Sequence, residues 1–111
     1  MYARVVRFEG GDPAALDKET EAIGRDIDAA KRGEPGTHSE ELVKTVSRMV
    51  ALVDHKSGSS AMIIFCDTKE DLLRVDRTFD AMTPSTDTGR RVSVDLYEVA
   101  LDETIARAKA A

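Results

Sequence analysis

Two side chains lie within or at the end of apolar segments and could do chemistry if the fold turned them towards a ligand: Arg48 and Tyr97. Tyr97 could donate a hydrogen bond to a bound phenol or quinone, or it could pack with its hydroxyl at the edge of the core. Arg48 could clamp an anionic ligand, or an acid across a dimer. The alternative for Arg48 is a salt bridge at a sheet edge or an interface, with Asp95 as its partner.

Four further positions carry polar or titratable groups. Cys66 ends an apolar run and is either a ligand contact or a small buried hydrophobe, since a reactive thiolate needs basic neighbours. His38 lies beside a Pro-Gly loop, where a pocket could open, and could bind a ligand or transfer a proton. His55 lies in a polar stretch and is expected to be solvated. Asp76 and Asp80 share a helix face opposite the apolar stripe and are also expected to be solvated.

The composition argues against several classes of function. The two histidines are far apart and no Cys-x-x-Cys exists, so neither a metal site nor a resident cofactor is predicted. The net charge of −5, with Arg90-Arg91 among the few paired bases, argues against nucleic-acid binding. A single cysteine excludes an intramolecular disulfide and is typical of a reducing compartment. No serine-histidine-aspartate order or phosphate-binding glycine loop appears.

Length and hydropathy indicate one folded unit. At 111 residues the chain has the size of a single domain, and 41% hydrophobic with 33% charged residues is typical of a globular protein. No apolar run approaches the roughly 20 residues that span a bilayer, and residues 1–10 do not resemble a signal peptide. We therefore expect one domain over residues 1–111, located in the cytoplasm and not bound to a membrane.

Two amphipathic helices are predicted. The first begins at Asp12-Pro13, an N-cap followed by proline, and ends at Gly33. The second begins after Thr68, which can act as its N-cap, and ends at Thr83-Pro84. Apolar positions recur at intervals of three and four in both helices and mark their inward faces: Leu16, Thr20, Ile23, Ile27 and Ala30 in the first, and Leu72, Val75, Phe79 and Met82 in the second.

Four strands are predicted, over residues 2–8, 46–53, 61–66 and 92–101. The polar segment 54–60 reads as a hairpin between the second and third strands. The fourth strand changes phase between Leu96 and Tyr97, which suggests a bulge or contacts on both sides. Residues 37–45 could form a short helix from Ser39 or a loop, and the tail 102–111 could be helical or frayed.

The resulting order is β-α-β-β-α-β, the split-βαβ arrangement of ferredoxin-like folds. It predicts an α+β domain with a four-stranded antiparallel sheet and two helices on one face. Such a sheet should alternate apolar and polar residues if its other face is wet. The third strand instead carries Met62, Ile64 and Cys66 on one side and Ala61, Ile63 and Phe65 on the other. A second copy of the chain on the open sheet face would cover them; the alternatives are that central strands simply run apolar, or that the tail folds over the sheet.

The chain resembles the antibiotic biosynthesis monooxygenase-like group of dimeric α/β-barrel proteins. The resemblance covers residues 2–101 and rests on the opening Tyr-Ala-Arg-Val, the hairpin at 52–58, the segment 67–72 before the second helix, and the closing segment 93–99. It implies homodimers that pair sheet against sheet, with a ligand pocket between the sheet and the helices. Oxidising members of the group are associated with Trp and Asn in the pocket, whereas this sequence contains neither.

Two functions follow as expectations. The first is a homodimer of uncharacterised activity that binds a small apolar or aromatic molecule between sheet and helices. The second is a cofactor-independent monooxygenase that acts on an electron-rich aromatic substrate of the polyketide or quinol type, where the protein orients the substrate and stabilises charge. A collapsed pocket in a bare homo-oligomer is the structural alternative.

Overall fold

The computed structural model describes residues 1–34, 39–81 and 88–106, and of residues 39–41 the backbone only. The predicted strands and helices are all present, and the ambiguous segment adds a third helix. In chain order the elements are β1 (Tyr2–Glu9), α1 (Pro13–Lys31), α2 (Ser39–Thr45), β2 (Arg48–Val53), β3 (Ser60–Cys66), α3 (Lys69–Asp80) and β4 (Arg90–Glu98). The structure therefore has one helix more than the two that were predicted firmly. Of the two alternatives for residues 37–45, the short helix from Ser39 forms, as α2.

The two long helices begin where their capping residues predict. Asp12 accepts a hydrogen bond through Oδ1 from the Ala14 amide at 3.2 Å, directly before the proline that opens α1. Thr68 accepts one through Oγ1 from the Asp71 amide at 3.1 Å at the start of α3. Each side chain satisfies an amide that the first turn of a helix would leave unpaired.

The sheet has the order β2-β3-β1-β4, and all neighbouring strands are antiparallel. The two central strands, β1 and β3, pair with Arg4 opposite Ile64. On its other side Arg4 lies opposite Leu96 of β4. This α+β architecture is compatible with a ferredoxin-like fold.

The irregularity in β4 lies at a different residue from the predicted one. Arg7 pairs with Ser93 while Phe8 pairs with Arg91, so Val92 is the extra residue on β4. The predicted bulge between Leu96 and Tyr97 was wrong. The register continues unbroken there, with Leu96 opposite Arg4 and Tyr97 opposite Ala3. Leu96 lies on the helix-covered side of this edge strand and is still 39% exposed.

One face of the sheet, here called the helix face, packs against the helices. Its centre is a buried cluster in which Ile64 and Cys66 of β3 contact Leu72 and Val75 of α3. All four side chains are at most 2% exposed. The register places Arg4, Val6 and Met62 on the same side of the sheet as this cluster.

The opposite face, here called the open face, has no helix on it in the described part of the chain. Val5, Ile63, Phe65 and Val50 lie there and are only partly buried, and Tyr97 at the edge is 50% exposed. The prediction that the third strand is apolar on both sides agrees with its register, since Ile64 and Cys66 lie on the helix face and Ile63 and Phe65 on the open face.

Two glycine turns pack against the turn that follows β1. Gly58 has φ +75°, and a Cβ added to it would lie 2.1 Å from the Gly11 carbonyl oxygen. Gly89 has φ +90°, and its Cβ would lie 2.2 Å from the Glu9 carbonyl oxygen. Side chains are excluded at both positions by backbone conformation and by space.

Residues 101–106 follow the last strand without helix or strand structure. Leu101 is 78% exposed and Ile105 is 90% exposed, so this part of the tail does not fold over the open face. Residues 107–111, the rest of the predicted tail, lie outside the described residues. Within the described ranges, no helix combines the length and the apolar character that crossing a bilayer requires.

Candidate functional site

The candidate site is organised around a buried arginine in the first strand. Arg4 is 2% exposed and is the only charged residue among the buried positions of the described chain. It lies on the helix face because β1 alternates Tyr2, Arg4, Val6 and Phe8 towards the helices. A buried arginine must keep its charge, so its surroundings have to compensate the lost hydration.

The main compensation comes from α3. Arg4 Nε donates to Asp76 Oδ1 at 2.9 Å, and the Asp76 side chain is 27% exposed. The Arg4 guanidinium carbon lies 5.4 Å from the centroid of the Phe79 ring, within reach of a cation–π contact. Asp76 and Phe79 are three residues apart on one helix, so a single turn of α3 holds the guanidinium from two directions.

This compensation leaves part of the guanidinium unpaired. Arg4 Nη2 is buried and has no hydrogen-bond partner among the described residues. A buried donor without an acceptor is unfavourable by about 1–3 kcal/mol, and more when it is charged. Such groups are rare in folded proteins and are concentrated where a ligand or an ordered water completes the bonding.

Arg4 lines a cavity of about 250 Å³ between the sheet and the helices. The walls are mainly apolar and come from α1, the sheet and α3; the large apolar side chains among them include Phe8, Leu16, Ile23, Met62, Ile64 and Phe79. An apolar enclosure with a few convergent polar groups is the usual form of a small-molecule site.

The cavity exists because α1 does not close onto the sheet along its whole length. Leu16 and Ala30, near its two ends, are 4% and 8% exposed. Between them Ile23 is 37% exposed, although it belongs to the predicted inward stripe. Thr20 and Ile23 line the cavity instead of packing into the core. The stripe was predicted from spacing, and spacing does not record how far a helix stands from the sheet.

Arg4 is one polar group in the cavity wall. A second polar group of lining residues consists of Glu19 on α1, Thr88, and Arg91 on β4. Arg91 lies opposite Phe8, four residues along β1 from Arg4. At about 3.3 Å per residue that places Arg91 about 13 Å from Arg4 along the strand. Glu19 accepts a hydrogen bond from Thr88 at 2.7 Å, and both of these residues also line the cavity. Asp80 Oδ1 lies 3.8 Å from Arg91 Nη1.

Two of the candidates predicted from the sequence lie on the open face and do not line this cavity. Tyr97 pairs with Ala3 at the β4 edge. Arg48 lies over the Phe65 ring, with its guanidinium carbon 5.7 Å from the centroid. The suggested Arg48–Asp95 salt bridge does not form within the chain. The two residues lie on opposite edge strands, about 14 Å apart, and Asp95 contacts Arg7 at 3.5 Å.

The remaining candidates also lie away from the cavity wall or outside the description. Cys66 is 0% exposed in the core cluster. Burial raises the pKa of its thiol, and the Asp71 and Asp67 carboxylates raise it further, so the thiol is protonated near neutral pH. His55 is exposed, with Nε2 2.8 Å from Asp17 Oδ1. His38 lies outside the described residues.

Sequence reasoning missed Arg4 and misplaced Asp76. Asp76 was expected on the solvated face of its helix, but it turns towards the sheet and pairs with Arg4. The pattern did hold the signal, because Leu72, Val75, Asp76 and Phe79 follow the i, i+3, i+4, i+7 spacing of one face. Arg4 likewise shares its strand parity with Tyr2, Val6 and Phe8. One charged residue in the inward stripe of β1 and one of opposite sign in the inward stripe of α3 together indicate a buried ion pair.

No group of three or more histidine, cysteine, aspartate or glutamate side chains in the described ranges is arranged to hold a metal ion. Comparisons of the chain with protein-family models, with curated proteins and with solved structures found no match. The evidence on function is therefore the geometry of the cavity.

Proposed function

We propose that this protein binds a small apolar or aromatic molecule in the cavity between its sheet and its helices. The observation that carries the proposal is the mainly apolar cavity of about 250 Å³ with Arg4 among its lining residues. A cavity of about 150 Å³ lined by apolar side chains can hold benzene. One substituted aromatic ring is thus the size of ligand that suits this site.

We also propose that the chain is a homodimer of the dimeric α/β-barrel type, similar to the antibiotic biosynthesis monooxygenase-like group. Three observations support a second copy on the open face. Ile63 and Phe65 are only partly buried there, the described tail leaves the face uncovered, and the four strands and two long helices follow one another in the split-βαβ order. Burial of each large apolar side chain contributes about 1.5–3 kcal/mol, which favours pairing.

Binding is tested by an NMR titration of ¹⁵N-labelled protein with indole, a neutral aromatic probe. We expect amide shifts at Leu16, Ile64 and Phe79 and none at Ile63 and Tyr97. Shifts confined to the open face, or no saturable shifts, would contradict binding in the cavity.

A cavity-filling variant provides the second arm of this test. Ala51 lies on the helix face and lines the cavity, so Ala51→Phe should abolish the saturable indole shifts. Glu21→Phe adds an aromatic ring on the exposed side of α1 and should leave them intact. If both variants bind indole like the original chain, the cavity is not the site.

Dimerisation is tested by sedimentation equilibrium at micromolar concentration. The chain of 12.1 kDa should sediment at twice its monomer mass. Ile63→Asp places a charge in the centre of the open face and should yield a monomer, whereas Lys56→Asp in the exposed hairpin should not. A monomer of the unchanged chain would refute the pairing.

A cofactor-independent monooxygenase is the second candidate function. It is favoured by the guanidinium beside an apolar cavity, because such a group stabilises a phenolate or enolate that reacts with oxygen. Oxygen uptake with a panel of anthrones and hydroquinones tests it. Uptake that does not exceed the buffer blank, with folded protein confirmed by circular dichroism, rejects this activity.

A further inference from the structure

The guanidinium of Arg4 has donor capacity that the described residues do not use. An arginine carries five N–H donors in a planar fork. Arg4 Nε donates to Asp76, and Nη2 has no partner among the described residues. The Nη2 donor matches a carboxylate, which forms strong charge-assisted hydrogen bonds with arginine.

The surroundings of the guanidinium strengthen such a contact. Ile64 and Phe79 line the cavity beside Arg4, and neither offers a competing acceptor. The Phe79 ring lies against the guanidinium and holds it in place. In an apolar enclosure a charged hydrogen bond is stronger than in water.

Each charged side chain that lines the cavity has a polar partner. Among the described lining residues, Arg4 on β1 and Arg91 on β4 are cationic, and Glu19 on α1 is the acid. Glu19 is bonded to Thr88 at the Arg91 end, away from Arg4. Asp76 contacts Arg4 from α3 without lining the cavity. Since each arginine already has an acid beside it, the feature that favours an acceptor group is not a net positive charge but the buried Arg4 Nη2, which has no partner among the described residues.

We propose that the ligand of this cavity is a small aromatic carboxylate whose carboxylate group lies against the Arg4 guanidinium and whose ring fills the apolar part. This inference rests on the binding function proposed above. It adds the chemical class of the ligand and names Arg4 as the residue that selects it.

The first experiment compares three probes of equal size by isothermal titration calorimetry: 4-methylbenzoate, 4-methylbenzamide and 4-methylbenzylamine. We expect the carboxylate to bind at least roughly tenfold more tightly than the amide, and the amine to bind most weakly. Equal affinity for carboxylate and amide, or preference for the amine, overturns the inference.

The second experiment removes the guanidinium together with its partner. Replacing both members of a buried ion pair by apolar residues avoids an unpaired buried charge, so the double variant Arg4→Met, Asp76→Leu should fold. It should lose the carboxylate preference of roughly tenfold or more and retain indole binding. Arg7→Met makes the same substitution on the open face of the same strand and should keep the preference. A carboxylate preference that persists in the double variant overturns the role of Arg4.

The outcomes separate this inference from the function on which it rests. Indole binding in the cavity without a carboxylate preference refutes the anionic ligand and leaves the binding function standing. No binding of indole or of any of the three probes refutes both. If the double variant does not fold, the comparison of the three probes on the unchanged chain decides alone.

Discussion

The central strand β1 places one arginine in a buried environment on the helix face and another in an exposed environment on the open face. Arg4 on the helix face is 2% exposed, bonded to Asp76 and stacked against a ring. Arg7, three residues further along, is 53% exposed and lies 3.5 Å from Asp95, whose side chain is 44% exposed. Both pairs join arginine to aspartate across neighbouring elements, but water screens the second pair much more than the first, in which Asp76 is 27% exposed and Arg4 is buried.

This contrast shows that burial, and not the residue types, decides how strongly the loss of one partner of an ion pair affects stability. An exposed pair contributes about 0–1 kcal/mol and can form or break with little consequence. A buried pair must stay complete, because either partner alone would be a buried unpaired charge. The helix face is therefore where single substitutions should have large effects, and the open face is where they should alter assembly.

The largest difference is expected between two adjacent isoleucines on β3. Ile64→Ala removes a fully buried core side chain and should lower the free energy of unfolding by about 3–4 kcal/mol. For the single chain, at a protein concentration low enough to dissociate the proposed dimer, Ile63→Ala on the open face should lower it by about 1 kcal/mol, because that side chain is only partly buried there. Urea unfolding at one fixed protein concentration measures both, and equal losses would remove the distinction between the faces.

The buried ion pair gives the next largest effect. Asp76→Ala leaves Arg4 buried without its carboxylate and should destabilise the fold by about 3 kcal/mol. Asp80→Ala, one turn further along the same helix, removes an exposed carboxylate 3.8 Å from Arg91 and should change stability by less than about 1 kcal/mol. Thermal and urea unfolding of the two variants test this, and a mild effect at Asp76 would show that Arg4 is hydrated.

A smaller effect on stability is expected from substitutions at glycines, and its sign should depend on the backbone conformation and the space at each position. Gly58→Ala forces a Cβ against the Gly11 carbonyl at a positive φ and should destabilise the fold by about 2 kcal/mol. Gly24→Ala in the middle of α1 meets nothing within 4 Å and should stabilise it by about 0.5–1 kcal/mol. Opposite signs in urea unfolding are the expected result; the same sign for both substitutions would contradict it.

The smallest effect concerns the hairpin between β2 and β3. Hydrogen bonds from the Lys56 amide and from Ser57 lower the pKa of Asp54 below its ordinary value of 3.8. Because the pKa is lower in the folded state, the carboxylate stabilises the fold fully above pH 3.8, and this contribution is lost as the pH falls through the folded pKa.

Asp54→Ala should therefore lower stability at neutral pH, and the gap between variant and unchanged chain should narrow below pH 3.8. Urea unfolding at a series of pH values measures the gap. Asp102→Ala in the exposed tail is the control and should show no such dependence. A gap that widens in acid would contradict the hydrogen-bonded turn.

The local features of the fold could be read from the sequence. Asp12 and Thr68 are N-caps as predicted, and the strands on both sides of the hairpin lie where their apolar runs indicate. These features depend on contacts within a few residues, and short-range patterns record such contacts. The two-sided apolar character of β3 was also readable, because strand parity assigns its faces directly.

The candidate site could be predicted only in its general position. The expected pocket between sheet and helices is present, but Tyr97 and Arg48 lie on the other face and Arg4 takes the place expected for them. Arg4 was not among the predicted candidates, although it shares its strand parity with Tyr2, Val6 and Phe8. Its partner Asp76 lies 72 residues away in the chain, and no local pattern connects the two.

The sequence by itself determined the helices, the strands and their order, since periodicity and capping act over one or two turns. Tertiary structure alone decided which face of the sheet was covered, how far α1 stands from it, and which charge was buried in the gap. These outcomes depend on the long-range pairing of β1 with β3 and β4 and on the docking of α3. Arg4 and Asp76 meet only once those contacts have formed.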